Sequence, residues 1–232
     1  MTYNPPSPIA DPGFPCTNAA FVIPGVVGEL ELLTACPPAE SAQPVTAVIC
    51  HPHPLHGGSM QNKVVHTLAR GFGEMGLRNV RFNFRGVGRS GGVYDHGLGE
   101  TEDLLAVIAW VHARRPRDEI WLAGFSFGSY VALRASVHAD VAQLVLVAPP
   151  VNLYEFNALT LPSCPLLVIQ GAADEVVPAA QVVRWVGQLT PPPALVYLEG
   201  VSHFFHGRLN DLRSALQGAL TAQLASSAAR RD

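Results

Sequence analysis

A serine between two glycines is the first group in the chain whose type and position could do chemistry. Ser126 lies at the centre of residues 124–128, Gly-Phe-Ser-Phe-Gly, after an apolar run and before a segment of helical period. On a sharp strand-to-helix turn, side chains two residues before and after such a serine would collide, so Gly124 and Gly128 are needed there. The helix that follows points its free amides at the serine and favours negative charge developing beside it. The pattern predicts that Ser126 is a nucleophile.

A serine hydroxyl attacks well only with a base that takes its proton and a carboxylate that orients the base. In the chain order typical of this arrangement, the acid follows the serine and the histidine follows the acid. Asp174 comes after the apolar run 166–169, and His203 comes after the run 195–198. Both would therefore lie at the carboxyl ends of strands, where parallel sheets bind ligands. From the residues alone, Glu175 and His206 are the alternatives.

The elements that must position these groups follow a repeating pattern of short apolar runs and segments of helical period. Strands are predicted at residues 21–26 and 30–36, as an antiparallel hairpin, and at 45–50, 79–84, 120–123, 144–148, 166–169 and 195–198. Continuous apolarity in the later runs is typical of a parallel sheet buried on both faces. Helices are predicted at 63–75, 101–114, 127–137, 178–188 and about 209–224, which would cover both faces.

The domain prediction is a single α/β domain over residues 19–225. A proline-rich arm at 1–18 is expected to be disordered, and the tail at 226–232 is expected to fray. The stretch between the predicted strands 144–148 and 166–169 is short and rich in proline, so it has no room for a lid domain.

Composition and charge exclude several classes of protein. Hydrophobic residues make up 48% of the chain and charged residues 14%, which is incompatible with a disordered protein. The net charge of −3, with no basic block, indicates neither a nucleic-acid partner nor an anionic membrane surface. No apolar run is long enough to span a bilayer, and the first residues do not form a secretory signal.

The cysteines bear on the cellular compartment. Cys16, Cys36, Cys50 and Cys164 are too few and too scattered for a disulfide framework, and no CxxC pair is present. The sequence therefore predicts a protein of the reducing cytoplasm, and it carries no signal of oligomeric state.

Two other motifs suggest different chemistry. His51, His53 and His56 have nearly the spacing of the zinc ligands in metallo-β-lactamase-like hydrolases, but Leu55 stands where an aspartate ligand is needed. Residues 86–91 fit the G-x-G-x-x-G pattern of nucleotide-binding loops, but no helical segment follows to hold a pyrophosphate. Local hydrogen bonds of the histidines and a tight glycine-rich turn are the favoured interpretations, so no metal and no nucleotide are predicted.

From about residue 19 to 225, the chain resembles the α/β-hydrolases, and more narrowly the small lidless serine hydrolases of bacteria. The resemblance rests on several short runs of sequence: His51-Pro52-His53-Pro54, Gly57-Gly58-Ser59-Met60, Asn62-Lys63-Val64-Val65, Arg81-Phe82-Asn83-Phe84-Arg85, Gly124 to Gly128, Gln170-Gly171, Ala173-Asp174-Glu175 and Ser202-His203-Phe204-Phe205-His206. It implies that Ser126, Asp174 and His203 form a catalytic triad, with Asp174 preferred over Glu175 and His203 over His206.

The resemblance also implies an oxyanion hole, formed by the amide after the nucleophile and by an amide of the loop after the third strand. The first donor would be Phe127. Pro52 and Pro54 have no N–H, which leaves His53 or Leu55 as the second donor, and His53 is favoured.

The resulting hypothesis is a serine hydrolase that cleaves an ester or thioester of a small acyl substrate through an acyl-enzyme, without a cofactor. Phe127, Phe204 and Phe205 would form the wall of an acyl pocket, and Arg85 or Arg89 could contact a substrate carboxylate. The alternatives are a hydrolase-like binding protein that has no turnover and, less favoured, a zinc metallohydrolase that uses His51, His53 and His56.

Overall fold

The fold is an eight-stranded sheet with five helices, seen in a computed structural model that describes residues 13–16 and 19–229. The strands are β1 (Phe21–Pro24), β2 (Glu29–Ala35), β3 (Val45–Cys50), β4 (Arg78–Phe82), β5 (Glu119–Phe125), β6 (Gln143–Val147), β7 (Leu166–Gly171) and β8 (Ala194–Leu198). The helices are α1 (Lys63–Glu74), α2 (Leu98–Arg114), α3 (Phe127–Ala135), α4 (Ala179–Gln188) and α5 (Leu209–Ala229).

The strand order is β1-β2-β4-β3-β5-β6-β7-β8. Strands β3 to β8 are mutually parallel, whereas β1 pairs antiparallel with β2, and β2 pairs antiparallel with β4. The predicted fold class, a mostly parallel sheet with an antiparallel N-terminal hairpin, is confirmed. Because β3, β5, β7 and β8 run in the same direction, the loops that carry the predicted site residues emerge at one edge of the sheet.

Helices cover both faces of the sheet, as predicted. On one face, α1 and α5 pack against alternate strand residues such as Trp121 and Ala123; on the other, α2, α3 and α4 pack against residues such as Leu122. Each central strand therefore buries both of its faces, which explains the continuous apolar runs.

Strands β5 and β7 each continue two residues beyond the end that the sequence pattern suggests, and the extension of β5 leads directly to Ser126. β5 continues beyond Ala123 through Gly124 and Phe125, which pair with Leu146 and Val147 of β6. Glycine usually marks the end of a strand, but Gly124 stays in the ladder and the chain turns only at Ser126. The predicted nucleophile is therefore fixed directly to the end of a central strand.

The segment between β6 and β7, residues 148–165, contains one short 3-10 turn at Phe156–Ala158 and no α-helix. It forms no separate lid over the sheet edge. Its role at the candidate site comes from single side chains, described below.

Part of the predicted disordered arm is packed. Phe14 is buried against Trp110, with ring centroids 5.6 Å apart, and Thr34 donates a hydrogen bond to the Pro15 carbonyl. Cys16 forms a disulfide with Cys36. The prediction is therefore wrong for residues 13–16, because one aromatic side chain finds a hydrophobic site on α2; residues 1–12 and 17–18 lie outside the described residues.

The Cys16–Cys36 disulfide was not expected from the cysteine count. The bond depends on the arm running beside the end of β2, and the spacing of two cysteines does not reveal such a juxtaposition. Disulfides persist mainly in oxidising compartments, so this bond does not favour the cytoplasmic location that the sequence suggested.

At the other end of the chain, α5 continues to Ala229 instead of ending near residue 224. The backbone of 226–229 is thus helical where a frayed tail was predicted, and residues 230–232 lie outside the described residues. No helix in the described part of the chain combines the length and apolarity that a membrane crossing requires.

Candidate active site

Ser126 stands at the turn between β5 and α3 in a backbone conformation that few non-glycine residues adopt, with φ 53° and ψ −120°. A Cβ on Gly124 would collide with the Gly128 carbonyl, and one on Gly128 would collide with the Cys50 carbonyl of β3. Ser129 secures the turn, because its hydroxyl lies 2.7 Å from the Gly124 carbonyl oxygen and 3.0 Å from that of Val147. Gly124 is therefore needed for the predicted reason, a collision across the turn, whereas Gly128 is needed because the turn packs closely against the end of β3.

The structure brings the three predicted side chains together. His203 Nε2 lies 3.1 Å from Ser126 Oγ, and His203 Nδ1 lies 2.8 Å from Asp174 Oδ2. With the Nδ1 proton donated to Asp174, Nε2 has a free lone pair that can accept the serine proton. His203 is 2% exposed, so this chain of hydrogen bonds is largely shielded from water.

Asp174 is held by donors on both of its oxygens. The amides of Val176 and Val177 donate to Oδ1 at 2.9 and 2.7 Å, and Gln170 Nε2 donates to Oδ2 at 3.0 Å. Burial alone would raise the pKa of Asp174. The hydrogen bonds from His203, Val177 and Gln170, together with the charge of His203, outweigh burial and hold the pKa below its usual value. The carboxylate is therefore ionised and fixed in orientation at neutral pH.

The rival residues occupy other positions. Glu175 accepts a hydrogen bond from the His203 backbone amide at 3.1 Å, so it supports the loop and not the imidazole. His206 is exposed and contacts the ring of Phe204. The choice of Asp174 and His203, which rested on resemblance, thus agrees with the positions of the side chains.

The backbone amides of Phe127 and His53 have no acceptor within the described part of the chain. The Leu55 amide, in contrast, donates to His53 Nδ1 at 3.2 Å. Both Phe127 and His53 line the cleft that contains Ser126. Of the two candidates for the second donor, His53 is the one with an available N–H.

The histidine loop is held by local contacts. His51 is fully buried; its Nδ1 lies 2.6 Å from the Pro52 carbonyl oxygen, and its Nε2 accepts the Phe84 amide at 3.0 Å. Both ring nitrogens are thus engaged, so His51 has no lone pair to offer a metal. The rings of His53 and His56 stack on each other, with their centroids 4.4 Å apart. The arrangement does not support the zinc interpretation, and no group of three or more potential ligands was found among the described residues.

The burial of His51 predicts a pH-dependent stability. Burial lowers the pKa of His51 to about 4, against a partly opposing hydrogen bond to Pro52. Because the unfolded chain binds this proton more tightly, His51 costs no stability above pH 6.5 and progressively more as the pH falls towards 4. We expect it to lower the free energy of unfolding by about 2 kcal/mol between pH 7 and pH 5.

Urea denaturation at the two pH values checks this expectation. The difference in the free energy of unfolding between pH 7 and pH 5 should shrink in His51→Asn. It should persist in His138→Asn, which alters an exposed histidine. An unchanged difference in His51→Asn would assign the pH dependence to other groups.

Arg85 and the glycine-rich residues 86–91 stabilise the local fold and do not form a binding site. Arg85 is buried and lies 2.8 Å from the buried carboxylate of Asp103, so it is not available to a substrate as the sequence analysis suggested. Gly86 and Gly88 have positive φ, and the next helix after this turn, α2, begins only at Leu98. The segment is a tight turn beside the site, as favoured, and does not form a phosphate-binding loop. The exposed Arg89 does not line the cleft.

Ser126 and His203 lie in an open cleft of about 530 Å³. Most of its lining is aromatic, apolar or imidazole, comprising Pro52, His53, His56, Gly57, Gly58, Asn62, Tyr94, His96, Ser126, Phe127, Pro150, Leu153, Tyr154, Val176, His203 and Phe204. Phe127 and Phe204 lie at the cleft as expected. Phe205 does not, because its backbone has φ 54° and its ring is buried beneath α5.

Sequence reasoning missed the lining residues Tyr94, His96, Leu153 and Tyr154. They come from the turn after β4 and from the segment between β6 and β7, neither of which has a motif or a regular period. A small signal was present, since Tyr94 and His96 directly follow the glycine-rich turn that was expected at the rim of the site.

Comparisons with known proteins identify the family of this chain. The model of the serine aminopeptidase family S33 matches residues 47–161, which include Ser126 and end before Asp174. An α/β serine hydrolase homologue from Coxiella burnetii is 51% identical with a TM-score of 0.87, and the match covers 90% of this chain and 100% of that one.

Two further relatives extend the comparison. A serine hydrolase without a lid from Xanthomonas campestris is 47% identical with a TM-score of 0.88, covering 92% of this chain and 98% of that one. An uncharacterized protein from Rickettsia prowazekii is 31% identical over 192 residues, covering 78% of this chain and 81% of the relative. The chain therefore belongs to the α/β-hydrolase superfamily, among its serine hydrolases without a lid.

Proposed function

We propose that this hydrolase cleaves carboxylic esters, or thioesters, of small neutral substrates through an acyl-enzyme on Ser126. The observation that carries the proposal is the position of His203, whose two ring nitrogens lie 3.1 Å from Ser126 Oγ and 2.8 Å from Asp174 Oδ2 at the bottom of an open cleft. A hydroxyl, an imidazole and an ionised carboxylate in this order perform acyl transfer on many unrelated folds.

In the first half of the reaction, Ser126 Oγ attacks the substrate carbonyl carbon while His203 Nε2 takes the hydroxyl proton. Asp174 accepts a hydrogen bond from Nδ1–H throughout, without taking the proton, and stabilises the imidazolium that forms. The tetrahedral intermediate then collapses; the bond to the alcohol or thiol breaks, and His203 returns the proton to the departing oxygen or sulfur. The acyl group remains on Ser126 as an ester.

In the second half, a water molecule takes the place of the leaving group. His203 accepts its proton as the water oxygen attacks the acyl carbon, and then returns that proton to Ser126 Oγ when the acyl–enzyme bond breaks. The product is a carboxylic acid and the enzyme regains its starting state. The openness of the cleft fits this cycle, because water needs access to the acyl-enzyme.

The amides of Phe127 and His53 would stabilise the oxyanion in both halves. A matched pair of variants tests the second donor. His53 has φ −52°, close to the value that proline requires, so His53→Pro removes the N–H without forcing a new backbone angle. His53→Ala also lacks the imidazole but keeps the N–H. We expect kcat of His53→Pro for a p-nitrophenyl ester to be about 10²- to 10³-fold lower than that of His53→Ala.

A His53→Pro protein that is folded and as active as His53→Ala would remove His53 from the oxyanion hole. Leu55→Ala serves as a control, because the side chain of Leu55 is exposed and its amide is already bonded to His53.

The lining of the cleft favours neutral esters over peptides with a free amino group, which are the substrates of an aminopeptidase. An aminopeptidase must bind the free ammonium group of its substrate, usually with a carboxylate. Among the residues that the structure describes, no Asp or Glu lines the cleft, and Asp174 is used by His203. A charged amine would lose its water there without gaining a partner, whereas a neutral ester would not.

Labelling with a fluorophosphonate tests the proposal directly. An activated serine attacks the phosphorus and displaces fluoride, so we expect a covalent adduct that mass spectrometry locates on Ser126. The same preparation should hydrolyse p-nitrophenyl acetate. A folded protein that neither reacts nor turns over the ester would instead be a hydrolase-like binding protein.

A further inference from the structure

One side of the cleft is built from rings in contact with each other. His53, Tyr94, Phe127 and Tyr154 form this ring wall. Centroid distances are 4.8 Å between His53 and Tyr94, 5.1 Å between His53 and Phe127, and 5.6 Å between Phe127 and Tyr154. The wall begins beside Ser126, because Phe127 is its neighbour in the chain.

The ring wall is held in place from behind. Tyr94, from the turn after β4, contacts the ring of Phe127 at the start of α3, with ring centroids 5.8 Å apart. Tyr154 also stacks on Tyr130 of α3, with centroids 4.7 Å apart. Burial raises the pKa of Tyr154, so its hydroxyl stays protonated. The rings are thus presented as a fixed, uncharged surface.

The cleft around the wall also lacks fixed charge. Among its described lining residues there is no Asp, Glu, Lys or Arg. Burial, together with the neighbouring His56 and His96, lowers the pKa of His53, which favours the neutral imidazole. Glu100 is close to Tyr94 but is buried, and its two carboxylate oxygens accept the amides of Asp95 and Gly97. A charged substituent bound against the wall would find no counter-ion.

We infer that the ring wall binds a neutral aromatic group of the substrate, so that the enzyme prefers aryl-bearing esters over aliphatic esters of equal size. The inference rests on the proposed ester hydrolysis and specifies its substrate class. Stacked and edge-to-face ring pairs contribute beyond the apolar area they bury, which favours an aryl ring over a cyclohexyl ring about 2- to 12-fold.

Two matched pairs of esters test the preference on each side of the scissile bond. Methyl phenylacetate is compared with methyl cyclohexylacetate, and benzyl acetate with cyclohexylmethyl acetate; within each pair the reacting ester group is nearly the same. We expect a kcat/KM ratio above about 2 in at least one pair. A carboxylate at the para position of the preferred substrate should lower kcat/KM about 100-fold, because the charge loses water without gaining a partner.

Variants assign the preference to the wall. Tyr94→Leu and Tyr154→Leu should bring the ratio towards one, while Tyr197→Leu, which alters an exposed tyrosine on β8 outside the cleft, should keep the wild-type ratio. Ratios of one in both pairs, with both esters hydrolysed, would overturn the inference and leave the proposed function standing. A wild-type preference retained by both wall variants would also overturn it. Absence of turnover for every ester, p-nitrophenyl acetate included, would overturn the proposed function itself.

Discussion

Replacing Ser126 by alanine is expected to lower kcat for p-nitrophenyl acetate about 10⁴- to 10⁶-fold. The variant lacks the oxygen that His203 activates at 3.1 Å, so the acyl-enzyme cannot form. The oxyanion amides and the cleft remain, so a small activity from direct attack by water is expected to survive. The measured decrease is limited by the spontaneous hydrolysis of this activated ester, which must be subtracted.

The fold of the variant must be checked, because Ser126 is in a strained conformation. Alanine has the same backbone preferences as serine at positive φ, so we expect little change in the thermal unfolding midpoint. Ser163→Ala alters an exposed serine between β6 and β7 and should retain full activity. If Ser126→Ala were folded and as active as the wild type, the acyl-enzyme mechanism would be rejected.

The three side chains of the proposed triad were predictable because each follows a sequence signal that has a local cause. Ser126 follows from the two glycines that its turn requires. Asp174 follows from its place after the buried strand β7, and His203 from its place after the partly exposed edge strand β8. The strands themselves were visible because burial on both faces demands continuous apolar runs. Several strand ends were missed by one or two residues: β5 and β7 continue through glycines that stay in the sheet, whereas β1 and β4 end two residues before their apolar runs do.

The substrate-facing residues were not predictable, because they depend on contacts between distant segments. Tyr154 reaches the cleft only because residues 148–165 fold back against α3, and no periodicity in that segment indicates this. The sequence also did not indicate which of the two adjacent residues Phe204 and Phe205 faces the cleft. Their types are identical, yet the positive φ of Phe205 places one ring at the cleft and the other in the core.

Replacing Asp174 by asparagine should lower kcat about 10⁴-fold, because the amide enforces the wrong tautomer of His203. Oδ1 of Asp174 accepts the amides of Val176 and Val177, so an asparagine must keep its carbonyl oxygen there. Its NH₂ group then occupies the position of Oδ2 and donates to His203 Nδ1. The imidazole proton is forced onto Nε2, which can no longer accept the proton of Ser126.

The adjacent carboxylate provides the matched control for this prediction. Glu175 accepts the backbone amide of His203, a role that the side-chain oxygen of glutamine can also fill, so Glu175→Gln should retain kcat within about threefold. Steady-state kinetics with p-nitrophenyl acetate measure both variants, and fluorophosphonate labelling should slow in Asp174→Asn in parallel with kcat. A folded Asp174→Asn protein that labels and turns over like the wild type would show that His203 does not depend on this carboxylate. The proposed triad would then reduce to a serine and a histidine, because Glu175 contacts only the backbone of His203.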